Sequence, residues 1–228
     1  MKKIGIIAAM EEEMNEIKNI ITNIRKTQIY NLIFWEGNIN ENECVLIECG
    51  VGKVNAARVT QVLIDKYDIK YIINVGSAAG ASEELNIGDI VIGEKLVQHD
   101  FDITAFGHSK GHISNLGVYI ESDKELIEKF INLSNKIENR DYNIKIGTIA
   151  SGDIFCTKEK MKDKIRNKFK AEAIEMEGAA IAQVSYLSNI PFIIIRSISD
   201  IPNGTNNITF DEFLKLASKR CAEILMRL

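Results

Sequence analysis

Continuous apolar runs alternate with segments of helical periodicity along this chain. The apolar runs that predict strands are Lys3–Ala9, Gln28–Trp35, Cys44–Cys49, Lys70–Val75, Asp89–Val97, Ile144–Ala150 and Pro191–Ile198. The periodic segments that favour helices are Glu11–Ile24, Asn55–Tyr67, Asp123–Ser134, Lys158–Phe169, Met176–Leu187 and Phe210–Leu225. Because the strands are apolar throughout and alternate with helices, the pattern predicts an α/β fold with a mostly parallel sheet covered on both sides.

The length of the chain allows one large domain or two small ones. Its 228 residues contain only 2 prolines and no repeat, low-complexity tract or linker. We therefore predict a single α/β domain over residues 1–228, large enough to bury a core without a metal or a disulfide. Ligands of such sheets bind beyond the carboxyl ends of the strands, so the polar residues that follow each strand are the candidate site.

Charge and hydropathy narrow the classes of partner. The chain has 28 Lys+Arg, 32 Asp+Glu and a net charge of −4, which gives no electrostatic reason to bind nucleic acid or an anionic membrane. The basic segment Lys158–Lys170 also contains acids and apolar residues, and we interpret it as a solvated helix face. No apolar stretch is long enough to span a bilayer, and the apolar N-terminus ends in Glu11–Glu13 without a cleavage site, so we expect a soluble intracellular protein.

Motifs for metals, disulfides and dinucleotides are incomplete. The 4 cysteines form no C-x-x-C pair, which fits a reducing cytoplasm and argues against a zinc site. His108 and His112 have the spacing of metal ligands on a helix, but neighbouring glycines disfavour a helix there. Gly50-Val51-Gly52 begins like a dinucleotide fingerprint, yet Asn55 occupies the position of the third glycine. We therefore expect no metal and no cofactor, and leave a tight turn near a ligand as the alternative for the glycines.

Residues at several strand ends have both a functional and a structural interpretation. Three acids, Glu11–Glu13, begin the first helix, where the helix dipole explains one or two of them. Gly76–Ala81 is either the lining of a cleft or a plain turn. Phe155 either stacks on a flat heterocycle or fills the core. Arg196 and Asp200 end the most apolar strand and share one face by parity, as part of either a site or a salt bridge.

The ordered set of motifs is more specific than any single one. G-I-I-A-A-M-E-E-E, G-V-G-K-V-N-A-A, G-S-A-A-G, S-G-D-I-F, E-M-E-G-A-A and R-S-I-S-D follow one another along the chain. Together they closely resemble the 5′-methylthioadenosine/S-adenosylhomocysteine nucleosidases of the purine nucleoside phosphorylase superfamily. The resemblance runs from Lys3 to the C-terminal helix. It implies a three-layer α/β sandwich around a mixed, partly barrel-like sheet, and a homodimer that acts on small nucleosides.

The resemblance implies a role for each matching residue. Asp200 resembles the general acid that protonates N7 of adenine, and Glu13 the base that activates water. Glu177 resembles the acid that holds the ribose hydroxyls, with Met176 beside it. The other residues implied to line the site are Met10, Val51, Ser77, Glu175, Arg196 and Ser199, with Phe155 and Cys156 at the purine and Phe210 at the 5′ substituent. Ile103 and Phe106 are implied to reach the 5′ pocket of the partner subunit.

The chemistry of N-glycosidic cleavage is consistent with these roles. Protonation of N7 turns adenine into a neutral leaving group, and a positioned water attacks C1′ as it becomes oxocarbenium-like. Asp200 must carry a proton when it acts, and a direct pair with Arg196 would oppose this. We therefore expect Arg196 to pair with another carboxylate, such as Glu175.

Three other functions compete with that of a nucleosidase for this substrate class. A phosphorylase would need cations around phosphate, whereas the candidate loops offer Lys53 and acids, which favours hydrolysis. A futalosine or 6-amino-6-deoxyfutalosine hydrolase would share the adenine and ribose contacts and differ in the 5′ pocket. A non-catalytic nucleoside-binding protein would be expected to lack the acid or the base. Two departures from the family pattern, Ala78-Ala79 and Ile201–Gly204, bear on substrate preference.

Overall fold

The computed structural model describes residues 2–201 and 210–228, with residues 210 and 211 described by their backbone alone. Its strands are β1 (Lys3–Ala8), β2 (Thr22–Ile29), β3 (Leu32–Ile39), β4 (Asn42–Glu48), β5 (Ile69–Gly80), β6 (Ile90–Gln98), β7 (Ile120–Glu121), β8 (Ile144–Ser151), β9 (Ala171–Glu175) and β10 (Phe192–Asp200). Its α-helices are α1 (Glu11–Ile20), α2 (Lys53–Lys66), α3 (Lys124–Asn135), α4 (Glu159–Phe169), α5 (Gly178–Leu187) and α6 (Phe210–Leu225). Within these ranges, no helix is long and apolar enough to cross a membrane.

The strands form one mixed sheet that partly closes into a barrel. Strands β10, β6, β8, β9 and β5 follow one another, and a second pairing between β10 and β5 closes this five-stranded ring. Strands β1, β4, β3 and β2 extend the sheet from β5. The expected α/β architecture with a mixed, partly barrel-like sheet is confirmed.

The expectation of a mostly parallel sheet is wrong. Strands β3 and β4 pair antiparallel with their predecessors, and β10 runs antiparallel to β6. The apolar pattern could not reveal this, because a strand buried on both faces has the same composition in either direction. Short turns make the hairpins, and Tyr30 and Asn40 take left-handed φ values of 57° and 52° in them.

Helices cover both faces of the sheet and bury two main cores. Side chains of α2 and α5, among them Val59 and Ile181, pack on one face. Side chains of α1, α3 and α6, among them Met14 and Phe130, pack on the other. A smaller cluster joins α4 to β8 and β9. The result is the expected three-layer arrangement.

Three element boundaries differ from the sequence prediction. Gln28–Trp35 is a hairpin turn between β2 and β3 and not one strand. The first helix ends at Ile20 because Ile21 is already extended, so Ile24 lies in β2. Strand β5 runs on through Gly76–Gly80, which makes that segment the lining of a cleft and not a turn. The short strands β7 and β9 were not predicted.

A buried carboxylate anchors the β2–β3 hairpin far from the cleft. Glu36 accepts hydrogen bonds from Lys3 Nζ at 2.6 Å, Arg25 Nη2 at 2.9 Å, Thr27 Oγ1 at 2.8 Å and Tyr67 OH at 3.3 Å. Burial alone would raise the pKa of Glu36, but the hydrogen bonds from Lys3, Arg25 and Thr27 outweigh it and lower the pKa to about 2.

This carboxylate should make stability depend on acid pH. A depressed pKa stabilises the fold above about pH 4.5, and that contribution is lost as the pH falls towards about 2. We expect Glu36→Gln to lower the free energy of unfolding by about 1–3 kcal/mol at neutral pH, and by much less near the acid end of this range. Urea unfolding at both pH values measures this, with the exposed Glu41→Gln as control. An equal loss at both pH values would contradict it.

Candidate active site

A cavity of about 320 Å³ opens where the carboxyl ends of β1, β5, β8, β9 and β10 converge. This is the edge at which α/β sheets bind ligands, and the volume lies within the range of small-molecule sites. The lining residues are Ala9, Met10, Val51, Ser77, Ala78, Ala79, Ile154, Phe155, Cys156, Thr157, Ile174, Glu175, Met176, Glu177, Ser199, Asp200 and Phe213. Ten of the predicted site residues are in this set.

Glu13 lies directly behind the cavity wall. It is buried in the first turn of α1, whereas Glu11 and Glu12 are exposed at the positive end of the helix dipole. Its Oε1 accepts from the Ser77 amide at 2.8 Å and from the Ser77 hydroxyl at 3.0 Å, and its Oε2 accepts from the Ala9 amide at 3.0 Å. These three donors fix a carboxylate beside a residue that lines the cavity.

Arg196 is a buried cation shared by several carboxylates. Its Nη2 donates to Glu175 Oε2 and to Asn74 Oδ1, each at 2.5 Å. Burial alone would lower the pKa of Arg196, but the charges of Glu175, Glu177 and Glu13 outweigh it and raise the pKa. The expectation that Arg196 pairs with Glu175 is confirmed.

Glycine is required where Arg196 approaches Glu13. A Cβ on Gly76 would lie 2.8 Å from Glu13 Oε1 and 3.0 Å from Arg196 Nη1, closer than real side chains pack. The small residues of β5 therefore let the cation and the carboxylate reach the same end of the strand.

Glu175 is held by more donors than Arg196 alone. It accepts the Ser151 hydroxyl, the Glu177 amide at 3.0 Å and the Gly178 amide at 2.7 Å. The last two donors lie at the start of α5, where the helix dipole favours an anion. Asn74, which completes the network through Arg196, was missed in the sequence, although a polar residue inside an apolar strand was a signal for it.

Glu177 accepts fewer of the hydrogen bonds described here than Glu175 or Glu13 does, so its negative charge is the least stabilised of the three. Its Oε1 accepts the Gly52 amide at 2.8 Å, at a backbone φ of 99° that favours glycine. Burial, followed by the charge of Glu175, raises the pKa of Glu177 to about 7, although Arg196 opposes the shift. One buried guanidinium faces three carboxyl groups here, so the neutral form of one of them is favoured.

Replacing Glu177 by a neutral side chain should make the fold more stable at alkaline pH. A carboxyl whose pKa is raised on folding binds its proton more tightly when folded, so its contribution to stability falls as the pH rises from about 4.5 to about 7. We expect Glu177→Gln to raise the free energy of unfolding by about 1–3 kcal/mol near pH 8, and to change it little near pH 4. Chemical unfolding at both pH values tests this, with the exposed Glu128→Gln as control. A less stable variant near pH 8 would contradict it.

Asp200 pairs with a lysine that the sequence pattern placed in solvent. Lys162 Nζ donates to Asp200 Oδ2, and Ser199 Oγ donates to Asp200 Oδ1 at 2.7 Å. Lys162 is only 4% exposed. The interpretation of the Lys158–Lys170 segment as a wholly solvated face is therefore wrong, because one of its lysines turns inward with Ile165 and Phe169.

The end of β10 departs from strict alternation. A bulge in its pairing with β5 falls between Ile198 and Asp200. Both Ser199 and Asp200 therefore line the cavity, although parity alone placed them on opposite faces.

The remaining walls are apolar. Phe155 lies at the rim with 68% of its surface exposed, whereas Cys156 behind it is buried. Met10, Val51 and Met176 complete this lining. Phe210 was predicted at the 5′ end, but its side chain lies outside the described residues. Phe213, one helical turn further along α6, lines the cavity and was not predicted.

Two predicted residues do not reach this cavity within one chain. Ile103 caps a short 3-10 helix, Thr104–Phe106, and Phe106 is 81% exposed. Their role at a partner subunit stays a prediction. Of the two sequence departures, Ala78 and Ala79 line the cavity, whereas residues 202–204 lie outside the described part of the chain.

Fold and site together define an α/β protein with a small-molecule cavity, partly lined by carboxyl groups, at the carboxyl edge of a partly closed mixed sheet. The family model described as the phosphorylase superfamily matches residues 3–228, and the chain belongs to that superfamily.

Within this superfamily the chain is similar to named nucleosidases. A 5′-methylthioadenosine/S-adenosylhomocysteine nucleosidase of Staphylococcus haemolyticus is 41% identical over 223 residues, which are 97% of this chain and 96% of the relative. The nucleosidase of that name from Neisseria meningitidis, solved with methylthio-immucillin-A, has a TM-score of 0.92 and 35% identity, and the match covers 100% of this chain and 98% of that one. The futalosine hydrolase of Helicobacter pylori has a TM-score of 0.91 and 31% identity, with coverages of 99% and 96%.

Proposed function

We propose that this chain hydrolyses the N-glycosidic bond of 5′-methylthioadenosine and S-adenosylhomocysteine, and of 5′-deoxyadenosine as well. The products are adenine and the 5′-substituted ribose. The observation that carries the proposal is the placement of two carboxyl groups at different parts of one cavity. Asp200 lies on the cavity wall, and Glu13 lies behind Ser77, which lines it. The similarity to nucleosidases named for these substrates supports the same conclusion.

Asp200 serves as the general acid in this mechanism. Its proton moves to N7 of the purine while the C1′–N9 bond breaks and the bonding electrons stay on the base. Adenine then leaves neutral, and C1′ becomes electron-deficient. General acid catalysis of this kind contributes about 10²- to 10⁴-fold.

Glu13 serves as the general base for water. The water oxygen forms a bond to C1′, and its proton passes to the Glu13 carboxylate. Glu13 then releases this proton to solvent and Asp200 takes one up, so atoms and charge balance over the turnover. The Ser77 and Ala9 donors hold Glu13 in place, which supplies the proximity that the attack needs. The logic is that of two carboxyl groups acting across a glycosidic bond.

The other walls bind and orient the nucleoside. Glu177 accepts the ribose hydroxyls beside Met176. Phe155 packs on the purine, whose edge is read by the backbone at Phe155 and Cys156. The apolar thioether substituent fits the wall that includes Met10, Val51 and Phe213.

Hydrolysis is favoured over phosphorolysis by the charge of the lining. The described residues that line the cavity include carboxyl groups but neither lysine nor arginine. Lys53 donates to Asp100 at 2.6 Å and to Gln98 at 3.1 Å, and so is engaged elsewhere. A phosphate dianion in the cavity would therefore meet the carboxyl groups of Glu175, Glu177 and Asp200, and none of the described lining residues would offer it a cation.

The cellular setting and assembly form part of the same proposal. We infer a cytoplasmic homodimer in which Ile103 and Phe106 complete the 5′ pocket of the partner subunit, and a place in methionine salvage. The whole of residues 1–228 would form one domain. The exposure of Phe106 supports the dimer, since 81% of a large apolar side chain is left available to a partner subunit.

A panel of nucleosides tests the substrate assignment. Purine release should be fastest from methylthioadenosine and S-adenosylhomocysteine and slower from 6-amino-6-deoxyfutalosine and futalosine. Chromatographic detection of free purine and sugar identifies the bond that breaks. Release of purine from the futalosines alone would contradict the proposal and would identify the chain as a futalosine hydrolase. Binding of methylthioadenosine without release would leave a nucleoside-binding protein.

A further inference from the structure

A buried ammonium contacts the acid of the proposed reaction from outside the cavity. Lys162 extends from the second turn of α4, beside Ile165 and Phe169, and is only 4% exposed. Its Nζ donates to Asp200 Oδ2, whereas Asp200 lines the cavity and Lys162 does not. The lysine therefore reaches the proposed acid without being in position to touch the substrate.

The pair places an ammonium group against one oxygen of the proposed acid. Oδ2 accepts from Lys162, and Oδ1 lies 2.7 Å from Ser199 Oγ, which is also 3.0 Å from the Ala78 carbonyl oxygen. A lysine ammonium has donors and no acceptor, so it stabilises only the carboxylate form. Before each turnover Asp200 must take up one proton from solvent against this interaction, and after each turnover the interaction is restored.

We propose that Lys162 is a positioning residue that holds Asp200 as a carboxylate between turnovers and strengthens it as an acid within each turnover. The inference rests on the proposed function, in which Asp200 protonates N7. A cation beside a carboxyl group makes it give up its proton more readily, which favours transfer to the purine. The same cation reduces the fraction of enzyme that carries the proton at high pH.

No other described cation is positioned to play this part. From the loop that follows β8, the ionisable neighbour is Cys156, whose pKa burial raises, with Lys162 opposing the shift and Asp200 adding to it. On the β5 side the pairing partner is Ala79, which carries no charge. Across the cavity lie Glu175 and Glu177, and the nearest guanidinium to them, Arg196, is committed to Glu175.

The test is the pH profile of adenine release by lysine variants. The profile of kcat and kcat/KM for methylthioadenosine is measured from about pH 5 to about pH 9 for the wild type, Lys162→Met, Lys162→Gln and Lys162→Arg. In the Met and Gln variants, the fall in activity at alkaline pH should move to higher pH than in the wild type. Their kcat at acid pH should be several-fold lower, so the profiles cross. Lys162→Arg, which keeps the charge, should keep the wild-type position of the fall.

Controls separate this role from a structural one. Lys164→Met on the same helix is exposed and should leave the whole profile unchanged. A uniform loss of activity with the alkaline fall unmoved, or a wild type without such a fall, would overturn the proposal. Lys162→Gln keeps the test available if the Met variant does not fold.

Asp200→Asn distinguishes failure of this inference from failure of the proposed function. If Asp200→Asn retains full activity, the assignment of the acid is wrong and the role of Lys162 is lost with it. If Asp200→Asn is inactive while the alkaline fall in activity lies at the same pH in the wild type and in the Lys162 variants, only the role of Lys162 is wrong.

Discussion

Asp200→Asn should lower kcat for adenine release by about 10²- to 10⁴-fold. Asparagine keeps the shape of the side chain and can still accept from Ser199, but it cannot supply a proton to N7. Because the apolar walls and Glu177 are untouched, KM for methylthioadenosine should change much less than kcat. Steady-state assays with purified variants measure both constants.

A matched control uses an acid on the same side of the molecule. Asp163 lies on α4 one residue after Lys162 and pairs with Arg166 at 3.3 Å at the surface. Asp163→Asn should therefore keep wild-type activity. If Asp200→Asn were within a few-fold of wild type, the leaving group would have to be activated by another residue, and the proposed mechanism would be wrong.

Arg196→Met should destabilise the fold by about 3–5 kcal/mol, the cost of leaving a buried charge without its partner. The substitution preserves most of the volume but removes the donor to Glu175 and Asn74 and the positive charge near Glu13 and Glu177. Activity should fall as well, because the carboxyl groups at the cavity would repel one another or take up protons. Urea unfolding and adenine release measure the two effects.

The pH dependence identifies the cause of this loss. Protonation relieves a buried carboxylate that has lost its partner, so the destabilisation by Arg196→Met should shrink as the pH falls. Arg166→Met, which removes a surface arginine paired with Glu83 at 3.1 Å, is the control and should cost less than about 1 kcal/mol. An effect of Arg196→Met as small as the control's would contradict the role of Arg196 as a shared cation.

The sequence predicted the elements of the fold better than their connections. Apolar runs such as Pro191–Ile198 and the periodicity of Phe210–Leu225 correspond closely to β10 and α6. Strand direction was not predictable, because a strand buried on both faces carries no mark of its orientation. The hairpin between β2 and β3 was missed because β2 is mostly exposed and has no apolar alternation.

The candidate site was predictable where polar residues interrupt or end apolar strands. Asp200 stands out in this way. Glu175 was noted at the start of an apolar helix, and Glu13 was singled out by the family resemblance alone. The three lie at or beside one cavity because β1, β9 and β10 end at the same edge of the sheet. Lys162 could not be singled out, since it is one of several lysines on α4 and only the packing of that helix against β8 and β9 decides which of them is buried. The bulge before Asp200 was equally invisible in the sequence, because it depends on register with β5.

The most direct test of the central claim is the dependence of the reaction on phosphate. The rate of adenine release from methylthioadenosine should be the same in phosphate-free buffer and in buffer with phosphate, and the sugar product should be free 5-methylthioribose. A reaction that needs phosphate and yields the sugar 1-phosphate would contradict hydrolysis and would place the chain among the phosphorylases of its superfamily.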